Sequence, residues 1–248
     1  MSQDQAQSSS APLLMQQQDS LCQLTLNRPA RANALDASLT EALLQALQQC
    51  AHNGTRLLVL RGAGKNFCGG FDLSDSDDAG EGELLRRFVR IEQVLQALWH
   101  APYAVLALAQ GRNAGAGTDL FLAAGLRVCS SDAAFRMPGL RFGLQLGTRR
   151  LQARVGSDRA RDLLCDSRQI AASEALQCGF VNRIVEPTAW DALIAQELAR
   201  ASALSPQAQQ RMLAATAPDS RAIDMADLVA SAAEPGLVQR IARYKAGA

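Results

Sequence analysis

The sequence predicts an α/β fold that ends in a helical region. Three observations carry this: short apolar runs that alternate with amphipathic segments, glycine-rich exits from two of those runs, and a purely helical period beyond Pro187. LCQLTL at 21–26 alternates as a strand and is closed by Asn27-Arg28-Pro29. Leu39, Leu43, Leu44 and Leu47 recur at helical spacing within 36–52, with Asp36 or Ser38 available as N-cap. LLVLRG at 57–62 is unbroken in its apolarity, as a fully buried strand is, and leads into GAGKNFCGGFDL. The acidic stretch from Asp75 to Glu83 reads as a solvated, mobile loop, or as a cover for a neighbouring pocket. A second amphipathic helix spans 84–99 and is stopped by Pro102. YAVLALAQG is another buried strand whose exit, GRNAGAG, opens into the apolar TDLFLAAG. LRVCSS is a strand, 158–166 and 173–178 are helical, and FVNRIVE is a late strand. Helices at 188–203, 206–215 and 223–244 follow. The organisation expected is a Gln/Ser-rich disordered N-terminus at 1–12, a core at 13–187 and a helical region at 188–248.

A chain of 248 residues can bury a core that needs neither disulfides nor a structural metal. The 25 Lys+Arg and 24 Asp+Glu nearly cancel, which points away from nucleic acid and anionic membranes as partners. No run reaches the roughly 18 apolar residues of a membrane helix, and the N-terminus lacks a basic and apolar leader pattern. The six cysteines are scattered, with no C-x-x-C pair and no histidine nearby, so no metal site is expected and reduced thiols in a cytoplasmic protein are.

The two glycine-rich junctions share a physical logic. Each follows a buried strand and runs into a segment that can start a helix, where small residues admit a ligand to backbone N–H groups favoured by the helix dipole. Two such junctions facing each other would hold one developing negative oxygen. Taken singly, each also fits tight packing or a turn. Gly111, Gly115 and Gly117 match G-x-x-x-G-x-G, the dinucleotide fingerprint of short-chain dehydrogenases, but the match lies mid-chain and no Tyr-x-x-x-Lys pair exists. No G-x-S-x-G elbow is present for a serine hydrolase. His52 and His100 are the only histidines, and His100, at a helix end, suits a cap or packing role.

LNRPARANAL, VLRGAGKNFCGGFDL, AVLALAQGRNAGAGTDL, AAFRMPGLRFG, GTRRLQARVG and ALQCGFVNRIV resemble, in order, the successive signatures of the enoyl-CoA hydratase/isomerase (crotonase) family over about residues 20–190. The resemblance implies a spiral of ββα units with a C-terminal helical region, assembly as a homotrimer or homohexamer, and an acyl-CoA thioester substrate. Coenzyme A would enter as part of that substrate, with no separate cofactor. It implies that the backbone N–H groups of Phe71 and Ala116 stabilise a thioester enolate. The matching stretches also assign Arg31, Ala32, Gly69, Gly70, Asp72, Leu73 and Gly115 to substrate or CoA binding, and set Glu92 at a position that could face the pocket, although a surface charge on an amphipathic helix is the plainer reading.

The acid–base groups depart from the family pattern. Hydratases of this family carry two glutamates; the first position here is Asp119, one methylene shorter, and the second is Gly139. Dienoyl-CoA isomerases of the family carry an aspartate where Asp119 stands, which makes Asp119 the expected proton-transfer group, against a plain role at a helix N-terminus. Hydration or isomerisation is the reaction expected. Thioester hydrolysis, decarboxylation, dehalogenation and non-catalytic acyl-CoA binding are the alternatives.

Overall fold

The computed structural model describes residues 11–74, 76 and 78–247. Most of the N-terminal segment at 1–12 and two residues of the acidic stretch therefore lie outside the described residues. Ala11 and Pro12, the last two of that segment, are tied down: their carbonyls accept from the Asn27 side chain and the Asn27 N–H at 2.9 and 2.7 Å.

A hairpin opens the described chain, β1 (Leu13–Gln18) against β2 (Leu21–Leu26), turned through Asp19 at φ 49°. After a single 3-10 turn at Pro29–Arg31 comes helix α1 (Ala37–Cys50), capped by the Asp36 carboxylate, which accepts the Leu39 N–H at 2.8 Å. Then follow β3 (Leu57–Gly62), α2 (Glu81–Trp99), β4 (Ala104–Ala109), β5 (Arg112–Ala114), α3 (Ala116–Ala123), β6 (Leu126–Cys129) and β7 (Ala134–Arg136). The remainder is α4 (Thr148–Val155), α5 (Ser157–Asp166), β8 (Ile170–Ala171), α6 (Ala172–Gln177), β9 (Arg183–Ile184), α7 (Trp190–Ser202), α8 (Pro206–Thr216), α9 (Arg221–Ala233) and α10 (Leu237–Lys245).

Among the described residues the main sheet runs β1-β2-β3-β4-β6-β9, parallel except for the β1–β2 hairpin, and β5, β7 and β8 form a second, small sheet. Side chains alternate across the main sheet. Leu57, Val59, Leu106 and Leu108 face α7 through Trp190, Leu193 and Ile194. Leu58, Leu60 and Ala107 belong to the larger core with α1 and α2, through Leu39, Leu43, Ile91 and Leu95. Burial on both faces explains the continuous apolar runs of β3 and β4.

Several elements differ from the sequence expectation. β1 is an edge strand whose last four side chains are exposed, so LLMQQQ carries no core-facing alternation. In FVNRIVE the strand itself is only Arg183 and Ile184: Phe180 and Val181 are buried in the core, while the Asn182 and Val185 N–H groups donate to the Arg127 and Cys129 carbonyls at 2.8 and 2.9 Å. The helix expected at 223–244 is two helices, α9 and α10, broken where Pro235 supplies no N–H and Gly236 adopts φ +83°. Helix α2 begins at Glu81, so the end of the acidic stretch is its first turn.

Candidate active site

The two glycine-rich junctions face each other. Gly70, at φ +97°, lies so close to the second junction that a Cβ there would stand 2.4 Å from the Ala114 carbonyl oxygen and 3.4 Å from the Ala116 nitrogen. At Gly117 a Cβ would stand 2.2 Å from the Cys68 carbonyl oxygen, so α3 can dock here only through glycine. Amide side chains stitch the junctions together. Asn113 accepts from the Cys68 N–H and donates to the Gly111 and Ala134 carbonyls; Asn33 donates to the carbonyls of Ala63 and Asn66. Asn33 and Asn113 sit inside the matching motifs, yet their cross-chain roles leave no mark on sequence spacing.

The N–H groups of Phe71 and Ala116 are uncommitted among the described residues. Phe71 forms an isolated parallel bridge with Leu35, which uses the Gly70 carbonyl and the Asp72 N–H and turns the Phe71 N–H the other way. Ala116 is the first residue of α3, where no intrahelical acceptor exists. Among the described residues neither N–H donates a backbone hydrogen bond. The Phe71 ring is held between the Phe88 ring, 4.4 Å centroid to centroid, and the Arg87 guanidinium, 4.4 Å from its centroid.

Both residues line a cavity of about 100 Å³. Of the residues expected to act there, Gly69, Gly70, Phe71, Leu73, Gly115, Ala116 and Asp119 line it, as does Gly139. Its remaining wall is largely apolar: Phe88, Met137, Pro138, Leu140, Phe142, Leu144, Leu146 and Leu164, with Thr148 among them. Tyr244 of α10 also lines it, so the site reaches past the 13–187 core into the C-terminal helices. Leu228, Ala232, Leu237 and Ile241 pack with Leu84, Phe88 and Leu144 behind this wall.

Four expected residues are not part of the lining. Arg31 is exposed on its 3-10 turn. Ala32, at φ 49°, supports the site from behind, its carbonyl accepting the Gly69 N–H at 2.7 Å. The Asp72 carboxylate turns away to Arg28 at 2.9 Å and accepts the Ser74 N–H; burial pushes its pKa up, but Ser74 and Arg28 outweigh that and hold it below the usual value. Glu92 is neither a pocket residue nor a surface charge. It is buried at 1% exposure, paired with Arg150 at 3.0 and 2.5 Å, and accepts from Gln96 at 2.9 Å.

Asp119 is the buried acid of the cavity. It lies in the first turn of α3, is 3% exposed, and its Oδ1 has no hydrogen-bond partner among the described residues. Burial pushes its pKa well above the carboxylate range; the Arg150 charge pulls it back and Glu92 pushes it further up. Gly147, at φ +63°, lies against it: a Cβ at 147 would stand 1.9 Å from Oδ1. Behind Asp119, Arg150 also meets Asp224 of α9 at 3.6 Å, and Arg149 meets Asp224 and Asp227 at 3.0 and 2.6 Å. This ion network ties α2, α4 and α9 together.

Comparison with known proteins agrees with this architecture. Residues 16–243 match the family model described as enoyl-CoA hydratase/isomerase. The chain is 35% identical over 203 residues to the "Probable enoyl-CoA hydratase echA6" of Mycobacterium bovis, covering 79% of this chain and 80% of that protein. A solved structure from Bordetella parapertussis, described provisionally as an enoyl-CoA hydratase/isomerase, superposes with a TM-score of 0.95 at 43% identity, over 96% of this chain and 99% of that one. The structure of an enoyl-CoA hydratase from Bacillus halodurans shares the fold, with a TM-score of 0.82 at 19% identity, over 94% of this chain and 99% of that one. The chain has the crotonase fold and belongs to the enoyl-CoA hydratase/isomerase family.

Proposed function

We propose that the cavity binds an acyl-CoA thioester, that the Phe71 and Ala116 N–H groups form an oxyanion hole for its carbonyl oxygen, and that Asp119 moves the proton. The observation that carries this reading is the convergence, on one cavity, of two uncommitted backbone donors and one buried carboxyl. Hydrogen bonds from fixed donors strengthen as negative charge develops on the thioester oxygen, which lowers the barrier to forming the enolate. A carboxyl whose pKa burial raises becomes a stronger base, and it can both accept a proton from carbon and return it. Hydration or isomerisation of a carbon–carbon double bond conjugated, or made conjugated, to the thioester are the reactions this set supports. Coenzyme A enters only as the carrier of the acyl group, with the Arg31–Ala32 turn at its nucleotide end, and the active assembly is a trimer or hexamer.

A second reading has its own observation. Gly139 lines the cavity where the family's second glutamate would stand and offers no acid, which suits another crotonase-type reaction or binding without turnover. Crotonyl-CoA and a 3-enoyl-CoA, followed by the absorbance of the conjugated thioester, separate the two. Turnover of either, abolished in Asp119→Asn, supports the first reading. Tight binding of both without turnover supports the second.

A further inference from the structure

Two arginines meet at the C-terminal end of α3 with no acid between them. Arg127 of β6 is buried and uses all three guanidinium nitrogens on the carbonyls of Ala124, Gly125, Gly179 and Phe180. Arg154 of α4 donates from Nε to the Leu122 carbonyl at 3.2 Å and from Nη2 to the Ala124 carbonyl at 2.9 Å, an oxygen that Arg127 also uses. Carbonyls at a helix end offset only part of a positive charge. Burial and the Arg154 charge accordingly lower the Arg127 pKa to about 9, and burial lowers that of Arg154 to about 10. Arg154 keeps a free edge: its Nη1 has no hydrogen-bond partner among the described residues and is not sealed from solvent. The guanidinium lies over the Trp99 ring, 4.3 Å from its centroid, so stacking takes its face and leaves that edge open. Arg154 and Trp99 line a cavity of about 90 Å³ whose other walls are mostly apolar, among them Leu98, Val105, Ala123 and Leu213. Through Ala101, Leu213 and Ala217 it adjoins a cavity of about 300 Å³ beside His100 and Pro102. Neither shares a lining residue with the cavity at Phe71 and Ala116.

We propose that Arg154 and Trp99 form a second binding site, separate from the candidate active site, for a small organic carboxylate with a hydrocarbon body. The carboxylate pairs with the open edge of the Arg154 guanidinium, whose planar N–H groups suit two oxygens side by side. The hydrocarbon lies along Leu98, Val105 and Leu213 and runs toward the larger cavity past Ala101 and Ala217. Each part of the ligand answers one feature of the site. A negative head compensates a partly buried pair of positive charges that helix-end carbonyls compensate only in part. An apolar body replaces water against walls that give it few partners. Inorganic phosphate meets the first requirement and not the second, and a neutral molecule of the same shape meets only the second. The site does not depend on the acyl-CoA reading above, since none of its residues touches that cavity.

The test is calorimetric titration with hexanoate and with hexanamide, its neutral counterpart of the same shape, using wild type, Arg154→Met and Leu213→Trp, with folding of each variant checked by thermal unfolding. In the wild type hexanoate binds about tenfold tighter than hexanamide, as a hydrogen bond to a charged group predicts. Arg154→Met removes that preference. Leu213→Trp leaves the guanidinium in place, fills the cavity and abolishes hexanoate binding, so the test stands even where Arg154→Met fails to fold. Saturating crotonyl-CoA leaves hexanoate binding unchanged. Equal affinities for the two probes in the wild type, or no hexanoate binding at millimolar concentration, overturn the carboxylate site. Hexanoate binding that persists in Leu213→Trp, or that crotonyl-CoA displaces, overturns it as well, because the acid then sits elsewhere.

Discussion

Replacing Asp119 by Asn keeps the size of the side chain and removes its ionisation, which turns burial of this acid into a measurable pH dependence. In an unfolded chain an aspartate titrates near pH 3.9. In the folded protein burial raises that value well above the ordinary range. From about pH 4 up to the raised pKa the folded state therefore holds one proton that the unfolded state has lost, and stability falls as pH rises through that window. The slope has a ceiling of about 1.4 kcal/mol per pH unit for one group, and it vanishes once both states are ionised. The variant lacks this loss, and the other carboxylates titrate alike in both proteins. The difference in unfolding free energy, variant minus wild type, should grow with pH from about pH 5 and then level off. Urea unfolding across pH 5–8.5, followed by tryptophan fluorescence, reads it directly. A difference that stays flat over the whole range, or a wild type that gains on the variant as pH rises, refutes a buried carboxyl held neutral. The same variant should lose about 10²–10⁴-fold in turnover while still binding CoA thioesters, because a general acid–base group is removed and the backbone donors are not.

Gly147→Ala forces a methyl group to 1.9 Å from Asp119 Oδ1 at a left-handed backbone; it should cost at least 1–2 kcal/mol in chemical denaturation and, by displacing the carboxyl, about 100-fold in turnover. Glu92→Gln removes the main partner of buried Arg150 while Asp224 remains at 3.6 Å. Its stability should fall by about 3 kcal/mol, the low end for breaking a buried pair, and the acidic limb of its pH–rate profile should move to lower pH, since Arg150 then acts on Asp119 with less opposition. With all six cysteines free and Cys165 alone exposed, a thiol reagent should label one site rapidly in the native protein, and Cys165→Ser should abolish that fast phase.

How much of this was legible in the sequence follows from where each feature keeps its information. β3 is recovered residue for residue, because a strand buried on both faces writes an unbroken apolar run. β1 leaves no such record: its outer half is exposed, and its pairing with β2 is set by a turn at Asp19 rather than by hydrophobicity. The break between α9 and α10 was available in Pro235-Gly236, but helical period on both sides concealed it. Glu92 shows the limit most clearly. On its own helix it reads as one charge among several; what makes it a buried ion-pair partner is Arg150, 58 residues later, brought against it by folding. That Phe71 and Ala116 meet at one cavity was legible because local motifs encode the course of the backbone.

The two departures from the paired glutamates share a physical cause in the loop from Gly139 to Gly147. The loop closes on itself through the Leu144 N–H, which donates to the Gly139 carbonyl at 3.0 Å, and through Gly143 at φ +72°. That closure brings the Leu144 carbonyl oxygen to 2.9 Å from any Cβ at 139, so a glutamate cannot be set there without moving the loop. The same loop ends at Gly147, pressed against Asp119, where a longer acid would have to displace it. The closed loop, glycine at 139 and the short acid at 119 are thus one packing solution. Restoring glutamate at 139 alone should therefore disturb the cavity wall rather than recreate a two-carboxylate site.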